Sequence, residues 1–180
     1  MTDLALLPGI VCDRAAWARV LPALPPAVRC HIPDYGVADA ITAMAQGVLA
    51  DAPATFSLAA HSMGTRVALE IVRIAPQRVE RLALLAGAYK PLPAGVPCQL
   101  EAEKRYHLLA LGRRKGMRAM AREWVRAMVH PERLADAVLI EEIEAMIARK
   151  TPAILAARSR RCSTGRMPDR CLPPCRCRSG

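Results

Sequence analysis

Over its first half the chain alternates short, almost wholly apolar runs with segments whose apolar residues recur every three or four positions. Leu4-Ala5-Leu6-Leu7 is stopped by Pro8-Gly9, and a short apolar run bounded by turn residues reads as a buried strand. Asp13 is placed to cap a helix over Arg14 to Leu24, where Trp17, Val20, Leu21 and Leu24 follow helical spacing before Pro25-Pro26. Val28 to Ile32 reads as a second strand, closed by Pro33-Asp34. Asp39 then caps a helix carrying Ile41, Met44, Val48 and Leu49. Thr55 to Ala60 is a third strand, and Thr65 to Ala75 a helix with Val67, Ala68, Ile71 and Val72 on one face. Val79 to Ala86 is a fourth strand, apolar along Leu82-Ala83-Leu84-Leu85. Alternating strands and helices with apolar strands predict a parallel sheet covered on both faces.

The pattern changes beyond Tyr89. Residues 90–98 hold three Pro and a Gly and read as a linker. Residues 99–150 read as helical. Met117, Met120, Ala121, Trp124, Val125, Met128 and Val129 keep the i, i+3, i+4, i+7 spacing, and Leu134, Val138, Ile143 and Ile147 keep it in the next segment. From about Arg158 the chain is mainly Arg, Cys, Ser, Pro and Gly without either period, which predicts disorder. The division expected is 1–89 for the sheet-bearing part, 90–150 for a helical region and 151–180 for an Arg/Cys-rich tail.

Composition locates the charge. The chain has 180 residues, is 53% hydrophobic with 3% aromatics, and carries a formal net charge of +10. Seven Arg against one Asp in residues 151–180 supply +6 of this, and four of the seven Cys lie there too. The basic character is thus a property of the tail. It could hold polyanions without specificity, but no aromatic residue is interleaved to stack on bases. Cys162, Cys171, Cys175 and Cys177 have irregular spacing for a zinc site. No secretory leader or membrane-length apolar run is read. A cytoplasmic protein without metal or organic cofactor is expected, with no specific nucleic-acid partner and no membrane.

The chemistry is concentrated in Ala60-His61-Ser62-Met63-Gly64. A serine between an apolar strand and a helix, flanked by small residues, can be lifted off the sheet by a tight, strained turn. The helix that follows aims its free N–H groups and dipole at the same spot. This stretch resembles the nucleophile elbow, G-x-S-x-G, of the α/β-hydrolase family. Leu7-Pro8-Gly9-Ile10, Pro33-Asp34 and the strand at Val79 to Ala86 extend the similarity over residues 3 to about 157. Ala60 stands where the first Gly of the motif belongs, and Pro8-Gly9 where many relatives have His-Gly.

The resemblance implies an α/β fold: a parallel sheet with flanking helices and a helical cap, incomplete at its C-terminal end. It also implies a serine hydrolase acting on a small carboxylic ester or related acyl compound. Ser62 would attack the acyl carbon, and the N–H groups of Met63 and Ile10 would form the oxyanion hole. Ala60, His61 and Gly64 would shape the elbow. Arg105, Arg113, Arg114 and Arg118 are candidate partners for a substrate carboxylate. The alternatives are a non-catalytic remnant or binding module on the same scaffold, or a polyanion binder acting through the tail.

The family order of serine, acid, histidine finds no match. After Ser62 only His107 and His130 remain, both in the helical region. Ala86, Gly87 and Ala88 occupy the place where some relatives carry the acid. Asp136 lies among the helices and Asp169 in the tail. His31 precedes the serine, and His61 adjoins it. The composition break near residue 158 suggests a shifted reading frame or truncation, an exposed sheet edge, and weak catalysis at most. The encoding DNA, read in another frame past codon 158, is expected to resume a strand–helix pattern with a Gly-Asp or Gly-His motif; sequencing that yields none in any frame would discard the idea.

Overall fold

The computed structural model describes residues 1–87 and 96–163, with side chains for 1–87 and 100–159. Four strands form one parallel sheet: β1 (Thr2–Leu7), β2 (Val28–His31), β3 (Phe56–His61) and β4 (Val79–Leu85), in the order β2-β1-β3-β4. Leu7 pairs with Ala60, and Ala60 with Leu84, so the C-terminal ends of three strands finish level. In an open parallel sheet that edge is where ligands bind.

The strands are short apolar runs because both faces of the inner two are covered. Leu6, Leu7, Phe56, Leu58 and Ala60 are buried. Helices α1 (Ile41–Asp51) and α2 (Met63–Ile74) pack on each other, and α2 also packs on β1, β3 and β4. Val67, Ala68 and Ile71 of α2 are fully buried; burying a Val or Ile side chain contributes roughly 1.5–3 kcal/mol. Glu70 on the same helix is buried too, and accepts from Arg73 at 2.8 Å and from Thr42 Oγ1 at 2.6 Å. The adjacent guanidinium holds its carboxyl below the usual range.

Arg78 closes the C-terminal end of α1. It donates to the carbonyls of Leu49, Ala52, Pro53 and Ala54 at 2.6–3.1 Å, with its guanidinium 5.6 Å from the Phe56 ring centroid. A cation is favoured at this end of a helix. At the other side of the sheet Asp3 takes a bidentate contact from Arg29 and one from His31, tying β1 to β2.

Helices α3 (Val96–Lys115), α4 (Met117–Met128), α5 (Ala137–Ala148) and α6 (Pro152–Ser163) follow. Met120, Ala121, Ile147 and Leu155 join the core that the sheet begins. Arg149, just past α5, donates to Asp13 at 2.9 and 3.0 Å, reaching back to the loop after β1.

Several expectations need correction. The segment 14–24 is not one helix but two 3-10 turns, Arg14–Trp17 and Leu21–Ala23. Pro22 has no N–H to give, and its ring would meet the Ala18 carbonyl in an α-helix. Only Trp17 of the four apolar residues is buried, although Asp13 does cap, accepting from the Ala15 N–H at 2.9 Å. Asp39 does not cap α1; the helix begins one residue later than that requires, with Ala40 at the capping position. The linker read over 90–98 gives way to α3 from Val96, and residues 88–95 lie outside the described residues. Disorder from residue 151 or 158 is overturned as far as Ser163. Thr151 Oγ1 accepts from the Ile154 N–H at 3.2 Å and Pro152 opens the helix, as suits the first position of a helix. Leu155, Ala156, Arg158 and Ser159 are buried there. The Cys- and Arg-rich remainder, 164–180, lies outside the described residues.

Among the described residues β4 is an outermost strand of the sheet, and its apolar residues are partly exposed: Leu82, Leu84 and Leu85 are 42%, 42% and 43% exposed. An apolar edge strand is a template for association. Replacing Leu82 and Leu84 together by Lys is expected to lower self-association in light scattering, with at most about 1 kcal/mol lost in a urea melt. Unchanged scattering would show that this edge is not the sticky surface. Gly64 behaves oppositely. A Cβ there would stand 2.5 Å from the Leu7 carbonyl oxygen and 2.8 Å from that of Pro8. Gly64→Ala is therefore expected to cost about 2 kcal/mol or more in the same melt; a cost within experimental error would refute the backbone contact.

Candidate active site

Ser62 is the hinge between β3 and α2. Its backbone lies at φ 55, ψ −119, one of two non-glycine residues with positive φ among those described. Such a conformation is sterically costly and persists only where surrounding contacts enforce it. Three contacts do so. The Ser62 N–H donates to the Leu85 carbonyl at 3.0 Å, and the Thr65 N–H donates to the Ser62 carbonyl at 3.0 Å. Gly64 lets the first turn of α2 rest against the end of β1. Gly87 matters from the other side, since a Cβ there would come within 1.9 Å of Thr65 Oγ1. The chain leaving β4, with Ala86 at φ 48, therefore presses on the same turn.

Ala60, in place of the motif's first glycine, is fully buried between Leu7 and Leu84. Its methyl takes up core space without displacing the elbow.

The loop after β1 lies alongside. A Cβ on Gly9 would be 3.3 Å from Ser62 Cβ, 3.3 Å from His61 Nδ1 and 3.2 Å from Cys12 Sγ. Ile10 follows Gly9 and is buried. Met63 is the first residue of α2. Among the described residues, neither the Ile10 nor the Met63 N–H donates to a backbone or side-chain acceptor. The sequence-read group of Ile10, Ala60, His61, Ser62, Met63 and Gly64 is thus brought together at one end of the sheet.

A cavity of about 230 Å³ opens next to this group. It is walled by Cys12, Ala15, Ala16 and His61 from the core side, and by Met128, Val129, Leu139, Ile143 and Met146 from α4, α5 and the residue after α4. Arg19 and Glu142 close it with an ion pair at 3.0 Å. Burial pushes the Cys12 thiol up to about 11 and draws the His61 imidazole below its ordinary value. Both side chains are therefore neutral at pH 7, and the lining is predominantly apolar. A more open cleft of about 730 Å³ runs along Asp13, Leu21, Ile32, Asp34 and Arg149, and does not include the elbow. The sequence reading missed Cys12 and the helical wall. Their signal was available only as position, Cys12 three residues past Gly9 and the methionines on the apolar stripes of α4 and α5.

The histidines and acids are engaged elsewhere. His107 contacts Glu123 at 2.6 Å on the surface, and His130 accepts from the Glu132 N–H at 3.4 Å. His31 sits on β2 against Asp3 at 2.8 Å. Asp136 caps α5 through the Leu139 N–H and pairs with Arg133. Ala88 and Asp169 lie outside the described residues. Among the described residues no side chain hydrogen-bonds the Ser62 hydroxyl, and none forms a group of three or more metal-ligating side chains. Of the arginines proposed for a carboxylate, Arg105 is taken by Glu101 and Arg118 by Glu141, while Arg113 and Arg114 are exposed. No described helix is long and apolar enough to cross a membrane.

No protein-family model matches the chain. Two curated relatives do. Pimeloyl-[acyl-carrier protein] methyl ester esterase of Photobacterium profundum is 36% identical over 95 residues, taking in 48% of this chain and 37% of that protein. The enzyme of the same name from Pectobacterium carotovorum is 35% identical with the same coverage. The match therefore spans little more than a third of their length. Among solved structures, a thermophilic esterase from Thermogutta terrifontis superposes with a TM-score of 0.73 at 21% identity, over 92% of this chain and 64% of that one. A hydrolase from Pseudomonas aeruginosa gives 0.71 at 21% identity, over 91% and 64%. With its parallel sheet in the order β2-β1-β3-β4 and a positive-φ serine between β3 and α2, the described part of the chain has the α/β-hydrolase fold of these neighbours.

Proposed function

We propose that the protein is a carboxylic ester hydrolase in which Ser62 is the nucleophile. The observation that carries this reading is the strained Ser62 backbone at the C-terminal edge of the sheet, beside Gly9 and at the start of α2. Ser62 Oγ gives its proton to solvent and attacks the acyl carbon. The carbonyl oxygen, as it becomes an oxyanion, accepts from the N–H groups of Met63 and Ile10; collapse expels the alcohol, and water then hydrolyses the acyl-serine to the acid. Donors fixed before the reaction stabilise that charge without reorganising; removing one costs about 10²–10³ in rate. The dipole of α2 adds to the same field.

The cavity beside His61 accepts the apolar part of the ester. Its volume and its Met, Leu, Ile and Val walls suit a short alkyl or acyl chain. Methyl ester hydrolysis by the curated relatives, as their names state it, supports a carboxylic ester over other acyl compounds.

A second reading has its own observation. The described residues place no histidine or carboxylate on Ser62, so proton removal from its hydroxyl lacks a partner among them. That favours slow chemistry or a non-catalytic scaffold with the same fold; oxyanion donors and binding alone leave about 10³–10⁴ over water.

A fluorophosphonate probe separates the two, with the adduct mapped by mass spectrometry. The esterase reading expects a covalent adduct on Ser62, formed slowly, and none in Ser62→Ala of unchanged circular dichroism. A folded protein that takes no probe at Ser62, or a Ser62→Ala variant that labels equally, would decide for the scaffold.

A further inference from the structure

Arg158 of α6 is the most deeply buried charged side chain described, 2% exposed. Among the described residues Arg158 forms no ion pair in contact; Asp34 attracts it from farther away. Its partners are three backbone carbonyls from two separate loops. Nη1 donates to Ile10 O at 2.8 Å, Nη2 to Gly36 O at 2.8 Å and Nε to Ala38 O at 3.4 Å. The Tyr35 ring centroid lies 5.7 Å from the guanidinium carbon.

A buried cation whose neighbouring carboxylate, Asp34, lies beyond contact distance is an expensive way to fill space. An apolar side chain of similar volume serves packing as well or better. What a guanidinium supplies that an apolar chain cannot is a rigid planar fork of donors, which fixes several acceptors relative to one another. Here one acceptor is the carbonyl of Ile10, the residue whose own N–H is the proposed oxyanion donor. Ile10 is joined through Gly9 to the strip of backbone that lies against Ser62. Fixing the Ile10 carbonyl restricts rotation about its Cα–C bond and anchors the loop that presents the N–H. The Gly36 and Ala38 carbonyls, on the loop after β2, provide the fixed reference.

We infer that Arg158 is a positioning residue for the oxyanion loop, holding Ile10 against the loop after β2 from helix α6. The inference rests on the esterase reading for what the loop does, but not for the clamp itself. Arg78 is the natural control. It also gathers backbone carbonyls, at the end of α1, and touches no part of the loop after β1. A merely structural arginine would behave as Arg78 does.

The test uses the full chain with Arg158→Met, Arg158→Lys and Arg78→Met, each checked by circular dichroism. Fluorophosphonate labelling of Ser62 is followed against probe concentration, which separates the maximal rate from the half-saturating concentration. Arg158→Met is expected to lower the maximal rate at least about 10-fold with the half-saturating concentration moved less than about 3-fold, since the donor acts on the transition state. Arg158→Lys is expected to recover part of that loss, and Arg78→Met to label within about 2-fold of the parent rate once corrected for folded fraction. Folded Arg158→Met labelling at the parent rate would overturn the inference. If Arg158→Met does not fold, Arg158→Lys decides: a maximal rate at least about 3-fold down supports the clamp, and one equal to Arg78→Met overturns it. A parent chain that takes no probe refutes the esterase reading alone. Amide hydrogen exchange at residues 10–12 then reads the clamp directly: faster exchange than in β1 of the same Arg158 variants supports it, and unchanged exchange overturns it.

Discussion

The structure depends on a backbone-to-backbone contact, the first turn of α2 resting on the carbonyls of Leu7 and Pro8. Only glycine at position 64 permits it. That proximity forces the chain to reverse within a single residue between β3 and α2. It thereby places Ser62 in a conformation its side chain would not otherwise adopt. The Leu85 carbonyl completes the constraint by taking the Ser62 N–H. Three consecutive strands of the sheet therefore share in defining one hydroxyl position, with β1 and β4 acting as jaws around the end of β3.

Around this point the molecule repeatedly uses charge to hold backbone. Arg78 gathers the carbonyls at the end of α1 and Arg158 those of two loops, while Arg149 pairs with the carboxylate of Asp13 in the loop after β1. With few aromatic residues, the core is filled by Leu, Ala, Val, Ile and Met, which pack without directional bonds. Orientation of the connecting loops falls to guanidinium groups, whose fixed geometry sets angles that aliphatic packing leaves open. The helical part enters the site by the same route: α4 and α5 wall the cavity, and α6 reaches past them to the loop of Ile10.

The sheet and elbow were legible because their signals are local. β1 and β4 carry the four-residue apolar runs Leu4–Leu7 and Leu82–Leu85, β3 carries Leu58-Ala59-Ala60, and the small residues around Ser62 announce the turn within five positions. The segment 14–24 was misread because hydrophobic spacing cannot distinguish a helix from two tight turns, and Pro22 carried the decisive information. Helix α6 was invisible for a different reason. Its buried face is Leu155, Ala156, Arg158 and Ser159, and half of that face reads as polar. Arg158 is buried only because the carbonyls of Ile10 and Gly36, 148 and 122 residues earlier, come to meet it. No window of neighbouring residues contains that fact. The apolar wall of the cavity sits between these cases, since the stripes on α4 and α5 were visible but not the surface they would face.

The tight fit between Gly87 and Thr65 adds a steric contact to the hydrogen bond by which the Leu85 carbonyl already holds Ser62. A threonine hydroxyl with no room before it transmits any displacement of the strand's exit straight into the opening turn of the elbow helix. The geometry at the serine is therefore set from downstream as well as from the strand that carries it. The path the chain takes on leaving the last described strand acts as a set-screw on the turn at Ser62.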